Sequence, residues 1–111
     1  MKIKLLFICT YNITRSPTAE GLFSVSDKYE AKAAGIAPVA VIKITQELID
    51  WADKIFVMSE QVDKHLTFLR NNFDIKDKEV YDLDIDDIYG RDNPELIKIL
   101  KEKLSKHGIK Y

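Results

Sequence analysis

The sequence predicts an α/β fold, a three-layer α/β/α sandwich built on a four-stranded parallel sheet. Four short apolar runs alternate with four segments of helical pattern, and this alternation is typical of parallel strands joined by right-handed crossovers. The first run, IKLLFIC, is apolar nearly throughout, as expected for a strand covered on both faces. We therefore expect the strand order 2-1-3-4, with the first strand in the centre and a ligand-binding loop after it.

The four strands are expected at residues 3–9, 30–34, 54–58 and 79–83. Each is a short run rich in β-branched, aromatic or other apolar residues, and each is followed by polar or glycine-containing sequence. Gly35 is expected to end the second strand.

The helix boundaries follow from capping residues. Ser16 is expected to cap the first helix, with Pro17 in its first turn, and Thr45 to cap the second. Ser59 is expected to cap the third helix. The last helix should open at Asn93-Pro94 and stop at Gly108.

Length and charge limit the classes of function. A chain of 111 residues supports one domain, expected to span residues 1–111. The net charge of −1 gives no field for binding nucleic acid, and no apolar run is long enough to cross a membrane. The N-terminal KIKLLFIC is too short for a signal peptide. The single cysteine excludes an internal disulfide and Cys-rich metal sites, so we expect a cytoplasmic protein.

The segment CTYNITRS joins the first strand to the first helix and contains the only cysteine, Cys9. A five-residue loop before a helix can turn its backbone N–H groups inward and bind a tetrahedral dianion. Arg15 can close such a cradle with a bidentate guanidinium, and these groups favour the thiolate of Cys9. The spacing therefore predicts an activated nucleophile beneath a bound phosphoryl group.

The motif CTYNITRSPTAE resembles the active-site loop of the low-molecular-weight protein tyrosine phosphatases, whose signature is C-x5-R-[ST] followed by P-x-A-E. ITQELIDWADKIFVM and DLDIDDIYGRDNPEL are similar to later segments of that family. The resemblance covers most of the chain and indicates a compact prokaryotic branch. It implies a phosphatase that hydrolyses phosphotyrosine or a similar aryl phosphate through a phosphocysteine, with no cofactor and no metal.

The resemblance also implies roles for individual residues. Cys9 corresponds to the nucleophile, Arg15 to the phosphate ligand and Asp87 to the general acid, with Asp84 as the alternative acid. Asn12 is expected to hold a left-handed turn that supports the loop. The residues expected to contact the substrate are Thr10, Tyr11, Asn12, Ile13, Thr14 and Ser16 in the loop and Tyr89 after the fourth strand.

Two other classes of function remain open. The IIB components of sugar phosphotransferase systems also carry a phosphorylated cysteine after their first strand, but they do not need Arg15. A binding module could hold a phosphorylated ligand without turnover. Arsenate reduction is rejected because it requires further cysteines. His65 and His107 are interpreted as surface residues.

Overall fold

The computed structural model describes residues 2–61, 63–75 and 77–109. Eight elements follow one another along the chain, each strand being followed by a helix. The strands are β1 (Ile3–Cys9), β2 (Tyr29–Gly35), β3 (Lys54–Val57) and β4 (Glu79–Asp82). The helices are α1 (Arg15–Gly21), α2 (Gln46–Trp51), α3 (His65–Asn72) and α4 (Pro94–Lys106).

The four strands form one parallel sheet in the order β2-β1-β3-β4, which confirms the predicted order. β1 lies in the centre and pairs with β2 over seven residues, from Ile3 opposite Tyr29 to Cys9 opposite Gly35. Its other edge pairs with β3. The strand order reverses at β1, so a crevice opens beyond its carboxyl end. Cys9 is the last residue of β1 and lies at that crevice.

Two apolar clusters cover the two faces of the sheet, as a three-layer sandwich requires. Alternate β1 residues, Leu5 and Phe7, join Ala19 of α1 and Leu100 of α4 on one face. Leu6 and Ile8 join Ile49 of α2 and Leu69 of α3 on the other face. β1 is therefore buried on both sides, which explains its continuous apolar sequence.

Two helix starts differ from the prediction. The N-cap of α1 is Thr14, and Ser16 lies inside the helix with its hydroxyl turned to the loop. α3 begins at His65, six residues after Ser59. Its first turn is capped by the carboxylate of Glu60, which accepts a hydrogen bond from the backbone N–H of Thr67 at 2.8 Å. Both serines are fully buried. The Ser16 hydroxyl bonds to groups of the loop, to Asn12 and Cys9, instead of capping the helix.

The other two helix starts match the prediction. The Thr45 side chain accepts a hydrogen bond from the N–H of Leu48, and the Asn93 side chain accepts one from the N–H of Glu95. α4 ends at Lys106, Gly108 follows with φ 78°, and the Ile109 N–H donates to the carbonyl of Leu104. This is the glycine-dependent helix stop expected from the sequence.

Candidate active site

The loop after β1 brings a thiol, an amide and a hydroxyl into one buried cluster. Cys9 Sγ lies 3.0 Å from Ser16 Oγ and accepts a hydrogen bond from the backbone N–H of Asn12 at 3.2 Å. Ser16 Oγ also lies 2.8 Å from Asn12 Oδ1, to which it donates. The single hydroxyl hydrogen of Ser16 can point either to this amide oxygen or to the sulfur. A thiolate at Cys9 would therefore have two donors, the Asn12 N–H and the Ser16 hydroxyl.

Two backbone features give the loop its shape. Asn12 has φ 57°, the left-handed conformation expected from the sequence. Gly35, at the end of β2, lies directly beneath the loop: an added Cβ would stand 2.6 Å from the Thr10 carbonyl and 2.9 Å from the Asn12 nitrogen. The tight turn therefore depends on the absence of a side chain at position 35.

Arg15 is almost completely buried, with 1% of its side chain exposed. Its Nη1 donates to Asp63 Oδ2 at 2.8 Å and to the carbonyl of Ile85 at 2.9 Å. Its Nε has no hydrogen-bond partner among residues 2–61, 63–75 and 77–109. A guanidinium presents Nε and Nη2 on one edge, and this edge binds two oxygens of a carboxylate or phosphate. Arg15 is thus fixed through Nη1 and retains an unused donor at Nε.

A chain of hydrogen bonds holds Arg15 from the start of α3. The Ser59 N–H donates to His65 Nδ1 at 3.0 Å, so the proton of the neutral ring is on Nε2. His65 Nε2 lies 3.0 Å from Thr10 Oγ1, and this hydroxyl donates to Asp63 Oδ1 at 3.3 Å. The other Asp63 oxygen accepts from Arg15. His65 donates to Thr10 and Thr10 donates to Asp63, while Arg15 donates to Asp63 from the other side, so this carboxylate ties both ends of the loop together.

His65 is fully buried, so its interpretation as a surface residue is wrong. Burial, followed by the nearby positive charge of Arg15, lowers the pKa of His65 from 6.5 to about 4. The ring is therefore neutral near pH 7, which agrees with its acceptor role at Nδ1. His107 is partly buried against the rings of Tyr81 and Phe56.

Asp87, in the loop between β4 and α4, lies beside the cradle, the name used here for the loop of residues 9–16. Its Oδ1 accepts a hydrogen bond from the Thr14 hydroxyl at 3.0 Å and lies 3.7 Å from Arg15 Nε. Asp87 is 44% exposed, so it is open to solvent as well as to the cradle. The Asp92 N–H, further along the loop, donates to Thr18 Oγ1 on α1. These two hydrogen bonds tie the acidic loop to the residues that follow Cys9.

The other residues expected at the site are divided between two places. Tyr11 and Ile13 are exposed on the loop after β1. Asp84 and Tyr89 line a cavity of about 450 Å³ on the acidic loop. This cavity is completed by Gln61 and by residues of α4, and no residue of 9–16 lines it. The structure therefore brings Asp87, and not Asp84 or Tyr89, into contact with the cradle.

Within the described part of the chain, no group of three or more His, Cys, Asp or Glu side chains could hold a metal ion. No described helix has the length and apolar character needed to span a membrane.

Solved structures with the same architecture cover nearly the whole chain. YwlE arginine phosphatase from Geobacillus stearothermophilus is 23% identical with a TM-score of 0.68, over 95% of this chain and 92% of that one. The chain has the fold of the low-molecular-weight phosphotyrosine phosphatases. One of these, from Vibrio cholerae O395, is 17% identical with a TM-score of 0.71, over 96% of each chain. The tyrosine phosphatase Wzb from Escherichia coli K30, in complex with phosphate, is 22% identical with a TM-score of 0.63, over 96% of each chain.

The fold implied by the resemblance is thus confirmed. No protein-family model matches the sequence, and no curated protein matches it either.

Sequence reasoning missed two residues of the site, Asp63 and His65. They are separated from Arg15 and Thr10 by 48 and 55 residues. Asp63 lies in a polar turn and His65 carries no spacing signal. One clue was present in the sequence: an arginine expected inside a crevice requires a carboxylate partner, because a buried charge is normally paired.

Proposed function

We propose that this chain is a phosphatase that hydrolyses phosphotyrosine or a similar aryl phosphate through a phosphocysteine intermediate. One observation carries the proposal: Arg15 is buried at the cradle that contains Cys9, and its Nε has no hydrogen-bond partner within the described residues. A buried donor without a partner is costly unless a ligand satisfies it. A phosphoryl oxygen is the ligand that fits both this donor and a sulfur nucleophile next to it.

In the first step the Cys9 thiolate attacks phosphorus in line with the leaving oxygen. The S–P bond forms, the P–O bond to the aryl group breaks, and Asp87 gives its proton to the departing phenolate. Arg15 and the backbone amides of residues 10 to 15 hold the three equatorial oxygens. This fixed positive field is expected to contribute most of the rate enhancement.

In the second step water replaces the leaving group. Asp87, now a carboxylate, takes a proton from the water as its oxygen bonds to phosphorus, and the S–P bond breaks to release phosphate and the thiolate. The Ser16 hydroxyl and the Asn12 N–H stabilise the sulfur as it leaves, since both lie at hydrogen-bond distance from it. Thr14 positions Asp87 for both steps through its hydrogen bond to Oδ1.

The names of the similar structures support this reaction. They include arginine and tyrosine phosphatases, and one of the arginine phosphatase structures is a cysteine-to-serine mutant with a phosphorylated active-site serine. Nothing in the comparisons supports a phosphocysteine carrier. We further propose a single domain over residues 1–111, a phosphoprotein or small aryl phosphate as substrate, no nucleic-acid or membrane partner, and a cytoplasmic location.

Steady-state hydrolysis of phosphotyrosine, phosphoserine, phosphoarginine and an activated aryl phosphate tests the proposal. We expect Cys9→Ser to abolish turnover while inorganic phosphate still binds, and Arg15→Ala to abolish both. Asp87→Ala should lower kcat by about 10²–10⁴, and least for the activated ester, because a good leaving group needs less protonation. Turnover by Cys9→Ser equal to wild type would refute the mechanism. Full activity of Asp87→Ala would transfer the acid role to Asp84.

A further inference from the structure

Exposed apolar side chains are concentrated around the cradle. Among the described residues, seven large apolar side chains are exposed. Six of them lie in the loops after β1, β2 and β4, and the seventh, Val25, lies between α1 and β2. The other six are 47% to 79% exposed and form what we call the apolar collar: Tyr11, Ile13, Val39, Val41, Ile42 and Ile88. Scattered single apolar residues are normal on a surface, but a cluster around a site marks an interaction surface.

Hydrogen bonds join the three loops that carry the collar. The Ala37 N–H donates to the Thr10 carbonyl at 2.9 Å, and the Val41 N–H donates to the Tyr11 carbonyl at 3.1 Å. On the other side, the Thr14 hydroxyl donates to Asp87, the residue before Ile88. The loops that carry the collar are therefore held against the loop that forms the phosphate cradle.

We propose that the apolar collar binds apolar side chains on either side of a phosphorylated residue in a protein segment, while the phosphoryl group occupies the cradle. This inference rests on the proposed phosphatase function and names its substrate class. The Arg15 Nε, which has no hydrogen-bond partner within the described residues, marks where the phosphate binds. A free aryl phosphate would leave the outer collar, at Val39 and Val41, uncovered.

The charges around the collar determine which flanking residues it accepts. The acidic loop exposes four carboxylates, those of Asp84, Asp86, Asp87 and Asp92. The cations exposed in the same three loops are Lys43 and Arg91, and Arg91 Nε already lies 3.9 Å from Asp92. The excess of negative charge disfavours acidic flanks and an anionic membrane surface. The partner is thus a phosphorylated segment with apolar rather than acidic neighbours.

The test compares free phosphotyrosine with three phosphotyrosine peptides of equal length, flanked by Leu and Val, by Ser and Gly, or by Asp and Glu. We expect kcat/KM for the apolar peptide to exceed that of the Ser/Gly peptide by about tenfold, the factor supplied by burying about two methylene groups. The acidic peptide should be the poorest substrate. Val39→Ser/Val41→Ser should remove the preference and leave hydrolysis of free phosphotyrosine unchanged.

Val25→Ser is the matched control, because Val25 is also an exposed valine, with 92% of its surface accessible, but lies outside the collar. Equal kcat/KM for all peptides, or a preference for acidic flanks, overturns the inference while the proposed function stands. If no phosphate ester is hydrolysed, the proposed function fails. The affinities of the Cys9→Ser variant for the three peptides then still show whether apolar flanking residues are preferred. The inference would also be overturned if the peptides showed no preference and the double variant instead abolished self-association or binding to phosphatidylcholine–phosphatidylserine vesicles.

Discussion

The position of Arg15 illustrates how one buried charge is held in place. Removing a guanidinium from water is costly, and the cost is offset by a hydrogen-bonded carboxylate and a carbonyl. Asp63 is only 20% exposed, so its attraction to Arg15 is weakly screened by solvent. Because the same carboxylate also accepts from Thr10, Asp63 links the charge of the cradle to the start of the loop.

We expect Asp63→Asn to lower kcat/KM for an aryl phosphate by about tenfold. The amide keeps the shape of the side chain but loses the charge-assisted hydrogen bond to Arg15, which is worth about 1.5–3 kcal/mol. Steady-state kinetics and phosphate titration measure the effect, which should be seen in phosphate affinity as well. Asp27→Asn, in an exposed turn, is the control. An Asp63→Asn variant with wild-type kinetics would show that Arg15 is positioned without Asp63.

His65 makes folding stability depend on pH. Its pKa is about 4 in the folded chain and about 6.5 when unfolded, so the unfolded chain binds more protons between these values. Stability therefore falls as the pH falls from 6.5 to 4, by about 3 kcal/mol from this group alone. Urea unfolding at pH values of about 7, 5 and 4 measures it. His65→Gln should show a smaller decrease over this range, and an identical decrease in both proteins would contradict the prediction.

At the scale of elements, the end of β2 supports the phosphate loop. Backbone atoms of Thr10 and Asn12 lie within 3 Å of where a side chain at Gly35 would begin. Backbone cannot move aside as a flexible side chain can, so the loop must shift.

We expect Gly35→Ala to lower kcat/KM by at least about tenfold, because small displacements of positioned groups slow catalysis strongly. Circular dichroism should show that the sheet remains. Gly21→Ala is the control, since an added Cβ at Gly21 meets nothing within 4 Å. Normal kinetics of Gly35→Ala would mean that the loop tolerates the displacement.

Every strand end was predictable within one residue, because the apolar runs of the sequence correspond directly to buried segments. β1 matches the expected 3–9, and β2 extends the expected range by one residue at each end. The start of α3 was not predictable from capping preference. Ser59 is a good cap by residue type, but the chain turns at Lys64 with φ 57°, and Glu60 caps the helix instead. Such a choice depends on tertiary packing, about which a local preference carries no information.

For the whole molecule, ligand binding and folding are coupled through the cradle. Phosphate needs the folded loop, because Arg15 and the amides of residues 10 to 15 point to one place only when the loop is folded. We expect inorganic phosphate at about 100 times its Kd to stabilise the fold by ~2.7 kcal/mol, which raises Tm on the order of 10 °C. Thermal unfolding with chloride at equal ionic strength is the control. An Arg15→Ala variant that keeps the full shift would contradict binding at this cradle.

The fold and the residues of the loop after β1 could be predicted from local sequence, whereas Asp63, His65 and Asp87 could not be placed at the site in this way. Cys9, Asn12, Arg15 and Ser16 belong to one continuous motif, so their proximity follows from the chain itself. Asp63 and His65 reach the same place only because β1 and β3 are neighbours in the sheet. Asp87 was found through the resemblance, and its contact with Thr14 depends on how the acidic loop closes.

The solitary thiol has a consequence for oxidative damage. Peroxide would convert the Cys9 thiolate to a sulfenic acid, and no second thiol exists in the chain to condense with it. Rescue then depends on an external thiol, which forms a mixed disulfide with Cys9 and releases water. A second equivalent attacks the external sulfur of that disulfide, releases the Cys9 thiol and leaves as the disulfide of the two external thiols. Cys9 is only 2% exposed, so the dimensions of that reductant decide how fast the thiol is restored.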